Sequence, residues 1–331
     1  MRSTSKVKHD AYILQDRAYN RRLHRSPLIA PVNTISTMIM KQLVFLLFLP
    51  TFLLSQDTMT PYRAFGEFLV SSFSSAPFPH RDRINGHSYD NKLYPPERHY
   101  VDSSVAMFIP KGYKQTGKVD LVFHFHGWYN NIDTTFKKYR LAEQFYESGK
   151  NAILVVPEGP RNAPDSFGGK LEDADGFKKL VHDVLEYLRR AKKIKTTEAG
   201  RIILSGHSGG YHVISFILMR GGLTDHIKEV FLFDGLYGQT EKFVYWLDHH
   251  KGKMINIYTK DGGTKEETES LMADLDGWGI SYKALPEEDA KPDDLKKNKL
   301  IFLFTSLQHD EVMQVHSSFN EYLKASILSD R

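Results

Sequence analysis

The sequence predicts an α/β protein whose mostly parallel central sheet has helices on both faces. Short apolar segments of strand length alternate with segments of helical spacing along residues 100–331. This alternation is typical of right-handed crossovers between parallel strands. Several apolar segments end directly before a polar or glycine-rich turn, as at His126-Gly127, Asp234 and Asp261-Gly262.

Residues 57–200 contain the first half of the predicted elements. The run Val119–Phe125 is interpreted as a central strand because its apolar character is typical of a strand buried on both faces. The other elements are a helix over Tyr62–Phe73, a strand over Tyr100–Pro110, a helix over Phe136–Tyr146, a strand over Ala152–Val156, a loop over Arg161–Asp173 and a helix over Gly176–Ala191.

The second half repeats the alternation, and neither an internal repeat nor a second domain is evident. We therefore expect residues 57–331 to form a single domain. After the strand that ends near Ser205, the predicted elements are a helix over Tyr211–Arg220, a strand over Val230–Phe233, a helix over Phe243–Leu247, a strand over Met254–Tyr258, a helix over Lys265–Asp276, a charged loop over Pro286–Asn298, a strand over Leu300–Phe304 and a closing helix over Glu311–Ile327.

The segment Arg201–Gly210 is the most informative in the chain. It is an apolar strand that ends in Gly206-x-Ser208-x-Gly210. A serine between two such glycines is typical of a nucleophile elbow, in which the absent side chains leave room for a strained strand-to-helix turn. The dipole of the following helix favours negative charge that develops at its N-terminus, beside Ser208.

The chain resembles the α/β-hydrolase superfamily over roughly residues 100–331. The resemblance rests on the order of four features: a His-Gly turn, the serine elbow, an acid after a later strand and a histidine after the last strand. It implies an α/β-hydrolase fold and a serine hydrolase that cleaves an ester, or less readily an amide, through an acyl-enzyme. Ser208 would be the nucleophile and His309 the general base.

Two aspartates compete for the role of the triad acid. Asp234 ends the apolar run Phe231–Phe233, whereas Asp261 follows the next strand, which is the more usual location in the superfamily. We favour Asp234 because the end of an apolar run is less solvated, and Asp261 stays the alternative.

The resemblance also predicts the oxyanion hole and the substrate contacts. The N–H of Gly209, which follows the nucleophile, and the N–H of Trp128, in the turn after His126-Gly127, would bind the developing oxyanion. His126, Tyr129, Arg161 and Tyr237 are candidate contacts for a small or polar ester substrate.

Two other classes of function remain as alternatives. A metal-dependent hydrolase would use His124 and His126, which are spaced to lie on one face of a strand. However, Trp128 and Tyr129 stand where a metallo-β-lactamase-like pattern needs aspartate and histidine. A non-catalytic binding protein on the same fold is the other alternative, although no member of the machinery has been lost. We expect no metal and no cofactor.

The composition excludes several other classes. The net charge of +4 comes from residues 1–39, which hold seven Lys or Arg against two Asp, so the remainder is close to neutral and nucleic-acid binding is not expected. The absence of cysteine excludes disulfides, thiol catalysis and thiolate metal sites.

Residues 40–56 have the pattern of a secretory signal peptide. Lys41 precedes the apolar run Leu43–Leu54, which is too short to span a bilayer comfortably. We therefore expect a secreted or periplasmic protein with no stable membrane insertion after cleavage, and an N-terminal anchor is the alternative. Residues 1–39 are interpreted as a mis-assigned or disordered leader, and in the first case translation begins at Met40 or Met38.

Overall fold

The computed structural model describes residues 60–331, which belong to one compact unit. The predicted leader and signal peptide lie outside the described residues. The strands are β1 Gly66–Ser72, β2 His87–Tyr89, β3 Lys92–Tyr94, β4 Ser104–Pro110, β5 Val119–Phe125, β6 Ile153–Pro157, β7 Ala199–His207, β8 Ile227–Phe233, β9 Lys253–Thr259, β10 Lys283–Pro286 and β11 Leu300–Thr305. The α-helices are α1 Pro96–His99, α2 Ile132–Lys138, α3 Leu141–Glu147, α4 Gly176–Arg190, α5 Gly210–Arg220, α6 Thr240–His249, α7 Lys265–Trp278, α8 Pro292–Lys297 and α9 Ser318–Lys324.

Nine strands of residues 60–331 form one sheet in the order β1-β4-β6-β5-β7-β8-β9-β11-β10, and β2 and β3 form a separate hairpin. Strand β4 is antiparallel to both of its neighbours, and every pair from β6 to β10 is parallel. The serine turn follows β7, the middle strand of the nine. This is the α/β-hydrolase fold that the sequence predicted.

The strands alternate their side chains between two apolar cores, one on each face of the sheet. Val105 and Met107 of β4 belong to one core, and Ala106 and Phe108 belong to the other. Helices α4 to α7 contribute to the first core, whereas α2, α3, α8 and α9 contribute to the second. The expectation of helices on both faces is thus confirmed.

The helix predicted over Tyr62–Phe73 is wrong, because this segment contains the edge strand β1. Every residue of β1 pairs with β4, from Gly66 opposite Pro110 to Ser72 opposite Ser104. A Cβ on Gly66 would lie 2.3 Å from the carbonyl oxygen of Ile109, so the close approach of the two strands needs glycine. Pairing with a distant strand overrides the local spacing here.

Three other predicted boundaries also need correction. The helix over Phe136–Tyr146 is broken into α2 and α3 at Arg140, whose φ of 47° is left-handed. The charged loop over 286–298 contains α8. The closing helix is shorter than predicted, because turns occupy residues 309–316 and Ser317 has a φ of 52° before α9 begins.

Within residues 60–331, no helix is both long enough and apolar enough to cross a membrane.

Candidate active site

Ser208 lies at the carboxyl end of β7, in the turn that leads into α5. Its φ of 53° is left-handed, a strained conformation for a residue with a side chain. Its N–H donates a hydrogen bond to the carbonyl oxygen of Phe233, the last residue of β8, over 3.1 Å. The turn is therefore attached to the neighbouring strand, and the serine stands at the edge of the sheet where the parallel strands end.

Close packing around the turn explains the glycines of the motif. A Cβ on Gly206 would lie 2.7 Å from Ile214 Cδ1, and a Cβ on Gly210 would lie 2.4 Å from the carbonyl oxygen of Phe125. On the opposite side, a Cβ on Gly127 would lie 2.5 Å from Ser208 Cβ. The atoms that face Gly210 and Gly127 cannot move aside cheaply, so these two positions need glycine for the elbow to form, whereas the end of the Ile214 side chain could shift to admit a Cβ at Gly206.

Asp234 directly follows β8, and its carboxylate faces His309, which follows β11. Asp234 Oδ2 lies 2.5 Å from His309 Nδ1, the ring nitrogen that donates to it. Asp234 is fully buried, and it also accepts hydrogen bonds from Thr259 and from the hydroxyl of Thr264. Burial alone would raise the pKa of Asp234, but the bonds from His309 and the two threonines leave that pKa below its ordinary value.

Asp261, the alternative acid, lies in the turn after β9 and is exposed. Its neighbour Gly262 is the residue that approaches the buried carboxylate: a Cβ there would lie 1.9 Å from Asp234 Oδ2. Of the two aspartates, Asp234 is the one hydrogen-bonded to His309.

Trp128 and Gly209 lie side by side across the turn that follows β5. A Cβ on Gly209 would lie 3.0 Å from Trp128 Cδ1 and 2.5 Å from Ser166 Oγ. The indole Nε1–H of Trp128 donates to Ser166 Oγ over 2.8 Å, and its ring meets the ring of Tyr89 edge to face at 5.0 Å. The structure therefore brings together the two residues predicted for the oxyanion hole, with Ser166 holding the indole.

The side chain of His126, the residue before Gly127, is buried. It is 1% exposed, with Nε2 3.0 Å from Glu158 Oε1 and Nδ1 2.9 Å from the carbonyl oxygen of Gly127. The other carboxylate oxygen of Glu158 accepts the N–H of Ile132, the first residue of α2. These bonds support the His-Gly turn, and a contact between the buried ring of His126 and a substrate stays a prediction.

The other three predicted substrate contacts have different surroundings. Tyr237 lies beside His309, with ring centroids 6.4 Å apart, and its hydroxyl donates to the carbonyl oxygen of Gly262 over 2.6 Å. Burial raises the pKa of Tyr237, and a hydrogen bond with Ser208 opposes the rise. Tyr129 is exposed and near the hydroxyl of Tyr94, whereas Arg161 forms an ion pair with Asp102.

His207, His309 and Asp310 form the one group in residues 60–331 whose ligand atoms lie close enough for a shared metal ion. However, His207 Nε2 lies 3.0 Å from the carbonyl oxygen of His309, which can only accept a hydrogen. That nitrogen therefore carries a proton and offers no lone pair. His124, proposed as a metal ligand with His126, lies 2.9 Å from Ser205 Oγ through Nδ1.

Sequence reasoning missed several residues of this site. Glu158, Ser166 and Tyr139, whose hydroxyl lies 3.1 Å from His207 Nδ1, come from loops with no motif, so no local signal marks them. His207 is part of the serine motif, and its position next to Ser208 was a usable signal. Thr259 and Thr264 flank the glycine turn after β9, where their hydroxyls reach Asp234.

No family model matches the chain, and no curated protein matches it. Among solved structures, it is similar to a mutant feruloyl esterase module from Clostridium thermocellum in complex with sinapinate, with 13% identity over 79% of this chain and 88% of that one and a TM-score of 0.49. It is also similar to a fluorophosphonate-binding serine hydrolase of Staphylococcus aureus, with 11% identity over 79% and 99% of the two chains and a TM-score of 0.46. A ferulic acid esterase from Anaeromyces mucronatus is 14% identical over 77% and 99%, with a TM-score of 0.42. The names of these structures describe the activities of those proteins and not of this chain.

Proposed function

We propose that this chain is a serine hydrolase that cleaves esters through an acyl-enzyme, with Ser208, His309 and Asp234 as its catalytic triad. The observation that carries the proposal is the 2.5 Å hydrogen bond between His309 Nδ1 and the buried carboxylate of Asp234, in the loops that flank the Ser208 elbow. A serine hydroxyl is a weak nucleophile unless a base accepts its proton, and an oriented imidazole is such a base.

In the first half-reaction, Ser208 Oγ attacks the carbonyl carbon of the ester, and its proton passes to His309 Nε2, the ring nitrogen that Asp234 does not engage. The negative charge that develops on the carbonyl oxygen is stabilised by the N–H groups of Gly209 and Trp128. His309 then gives the proton to the leaving alcohol, which departs and leaves the acyl group on Ser208. Water repeats the steps and releases the acid.

Asp234 keeps its charge during this cycle. Its depressed pKa means that it stays ionised while His309 becomes an imidazolium, so the pair is charged and mutually stabilising in the transition state. Hydrogen bonds from Thr259 and Thr264 hold the Asp234 carboxylate against rotation where it accepts from His309 Nδ1.

We further propose a small or polar ester as substrate, with Tyr237 and the exposed rings of Trp128 and Tyr129 as its contacts. Tyr237 has the strongest support, because its hydroxyl is within reach of Ser208 and its ring lies beside His309. Arg161 is a weaker candidate because Asp102 already neutralises it.

The test is hydrolysis of a series of p-nitrophenyl esters from acetyl to octanoyl by purified residues 57–331. We expect turnover that decreases with acyl length and that Ser208→Ala abolishes. A folded, monodisperse protein with no turnover of any member, and no reaction with an active-site serine probe, would support the binding-protein alternative.

A further inference from the structure

His207, between the glycine and the serine of the elbow, makes two hydrogen bonds that the triad chemistry does not use. It is the last residue of β7 and is 1% exposed. Its Nε2 lies 3.0 Å from the main-chain carbonyl oxygen of His309, and its Nδ1 lies 3.1 Å from the hydroxyl of Tyr139. The rings of His207 and His309 also pack together, with centroids 4.7 Å apart.

These partners define the tautomer of His207. The carbonyl oxygen of His309 can only accept, so Nε2 carries the hydrogen. In the neutral ring Nδ1 is then an acceptor, and the hydroxyl of Tyr139 donates to it. Burial, helped by the nearby His309, lowers the pKa of His207 to about 4, so the ring is neutral at pH 7.

The loop that carries His309 is attached to the protein at three points. Asp234 holds the imidazole through Nδ1, and His207 holds the carbonyl group of the same residue. The next residue, Asp310, forms an ion pair with Lys138 of α2 over 2.7 Å. The bonds from Asp234 and His207 act on opposite ends of His309, its ring and its main chain. Together they fix where Nε2 points.

We propose that His207, oriented by Tyr139, is a positioning residue that holds the main chain of His309 so that its Nε2 meets Ser208. The inference rests on the proposed function and adds a role for the residue between the motif glycine and serine. His207 itself takes no proton from the substrate or the serine. Its effect passes entirely through His309.

The kinetic test compares His207→Gln with His207→Leu. A glutamine keeps an N–H donor near the position of Nε2, whereas a leucine of similar size keeps none. We expect His207→Leu to lower kcat by roughly 10- to 100-fold with KM little changed, because a displacement of about 1 Å in a catalytic group costs rate in this range. His207→Gln should recover most of that loss. Tyr139→Phe should give a smaller loss of kcat of the same kind.

The matched control is Asn256→Leu. Asn256 is a fully buried polar residue on strand β9, bonded to the hydroxyl of Thr268 in α7 and not to the His309 loop. It should lower the melting temperature about as much as His207→Leu and leave kcat unchanged. If the glutamine and leucine variants at position 207 lose kcat equally, or if neither loses it, the positioning role is wrong.

A second measurement does not depend on activity. In a Ser208→Ala background, nitrogen-15 NMR of the histidine rings should show His207 as the neutral Nε2–H tautomer between pH 5.5 and 8. The spectrum should also contain a strongly deshielded proton resonance from His309 Nδ1–H. The chemical shift of this resonance should change in the His207→Leu protein and stay the same in the His207→Gln protein. An Nδ1–H tautomer for His207 would overturn the inference. An inactive wild-type protein with these NMR signals would instead refute the proposed function and leave the contact between His207 and His309 established.

Discussion

The carboxylate of Asp234 and the imidazole of His309 are joined by a 2.5 Å hydrogen bond between loops that lie 75 residues apart in the chain. The two loops meet because β8 and β11 are parallel strands that end at the same edge of the sheet, with β9 between them. Thr259, the last residue of β9, and Thr264, in the turn that follows, complete the surroundings of the carboxylate. The bond makes Asp234 rather than Asp261 the residue on which activity should depend.

Replacing Asp234 with asparagine should lower kcat by about 10³- to 10⁴-fold, since the amide no longer holds the correct tautomer of His309 or stabilises its cation. The matched control is Asp261→Asn, which changes an exposed turn residue and should stay within about twofold of wild type. Steady-state hydrolysis of one acyl ester by the three proteins provides the comparison. Equal activity of wild type and Asp234→Asn would refute the assignment.

Replacing Gly127 with alanine should disrupt the turn at Ser208, although Gly127 lies after β5 and is not part of the Gly206-x-Ser208-x-Gly210 motif. The new Cβ would lie 2.5 Å from Ser208 Cβ and 3.0 Å from the carbonyl oxygen of His207. We expect a loss of about 1–3 kcal/mol in the free energy of unfolding and a drop in kcat of about 100-fold from displacement of the serine. Chemical denaturation and ester kinetics measure the two effects.

Gly117→Ala is the control for this variant, because a Cβ on Gly117 would meet no atom within 4 Å. It should leave both quantities close to wild type. If Gly127→Ala also kept the stability and the kcat of wild type, the turn would be able to relax around the added methyl group. Close packing of Gly127 against Ser208 would then not constrain catalysis.

Replacing Glu158 with alanine should destabilise the protein, because it leaves His126 buried without its carboxylate partner. Both side chains are nearly inaccessible, at 1% and 2% exposure. Leaving a buried polar group without one of its hydrogen-bond partners costs about 1–3 kcal/mol. The control is Glu198→Ala, which breaks a surface ion pair with Lys118 and should cost less than about 1 kcal/mol. Similar denaturation midpoints for the two variants would contradict the supporting role of His126.

The stability of the protein should depend on His207 in mildly acidic solution. Its pKa is about 4 in the folded protein against 6.5 for the free side chain, so between these values the unfolded chain binds more protons. The contribution of neutral His207 to the free energy of unfolding is therefore fully present above pH 6.5, and it is lost as the pH falls towards 4. The charged or titratable groups that act on His207 are His309, Asp310 and Asp234, with the hydroxyl of Tyr139 on its other nitrogen and His124 on the adjacent strand.

His207→Gln should therefore flatten the loss of unfolding free energy between pH 6.5 and 4.5, compared with wild type. Urea denaturation at several pH values in this interval measures the slope. An unchanged slope would show that His207 titrates normally in the folded protein.

The parallel part of the fold could be predicted because its signals are local. Each strand from β5 onward, apart from the short edge strand β10, contains an apolar run, and the residues that follow β7, β8 and β11 carry the candidate chemistry. The antiparallel edge could not be predicted in this way. Residues 66–72 form a strand because β4 lies beside them, and nothing in their own spacing requires it.

The same distinction between local signals and distant partners applies to the residues of the site. Ser208, Asp234 and His309 each follow a strand, so topology alone predicts that they converge. His126 is buried against Glu158, 32 residues further along, and the tautomer of His207 depends on the carbonyl group of His309, 102 residues further along. Such partners come from packing between elements, which the sequence pattern does not record.

The most direct test of the central claim is covalent labelling with a fluorophosphonate, followed by intact mass and peptide mapping. We expect wild type to gain one adduct, located on Ser208, and Asp261→Asn to label at a similar rate. Ser208→Ala should gain none, and His309→Ala and Asp234→Asn should react far more slowly. An adduct on another residue, or equal labelling of Asp234→Asn and wild type, would contradict a triad of Ser208, His309 and Asp234.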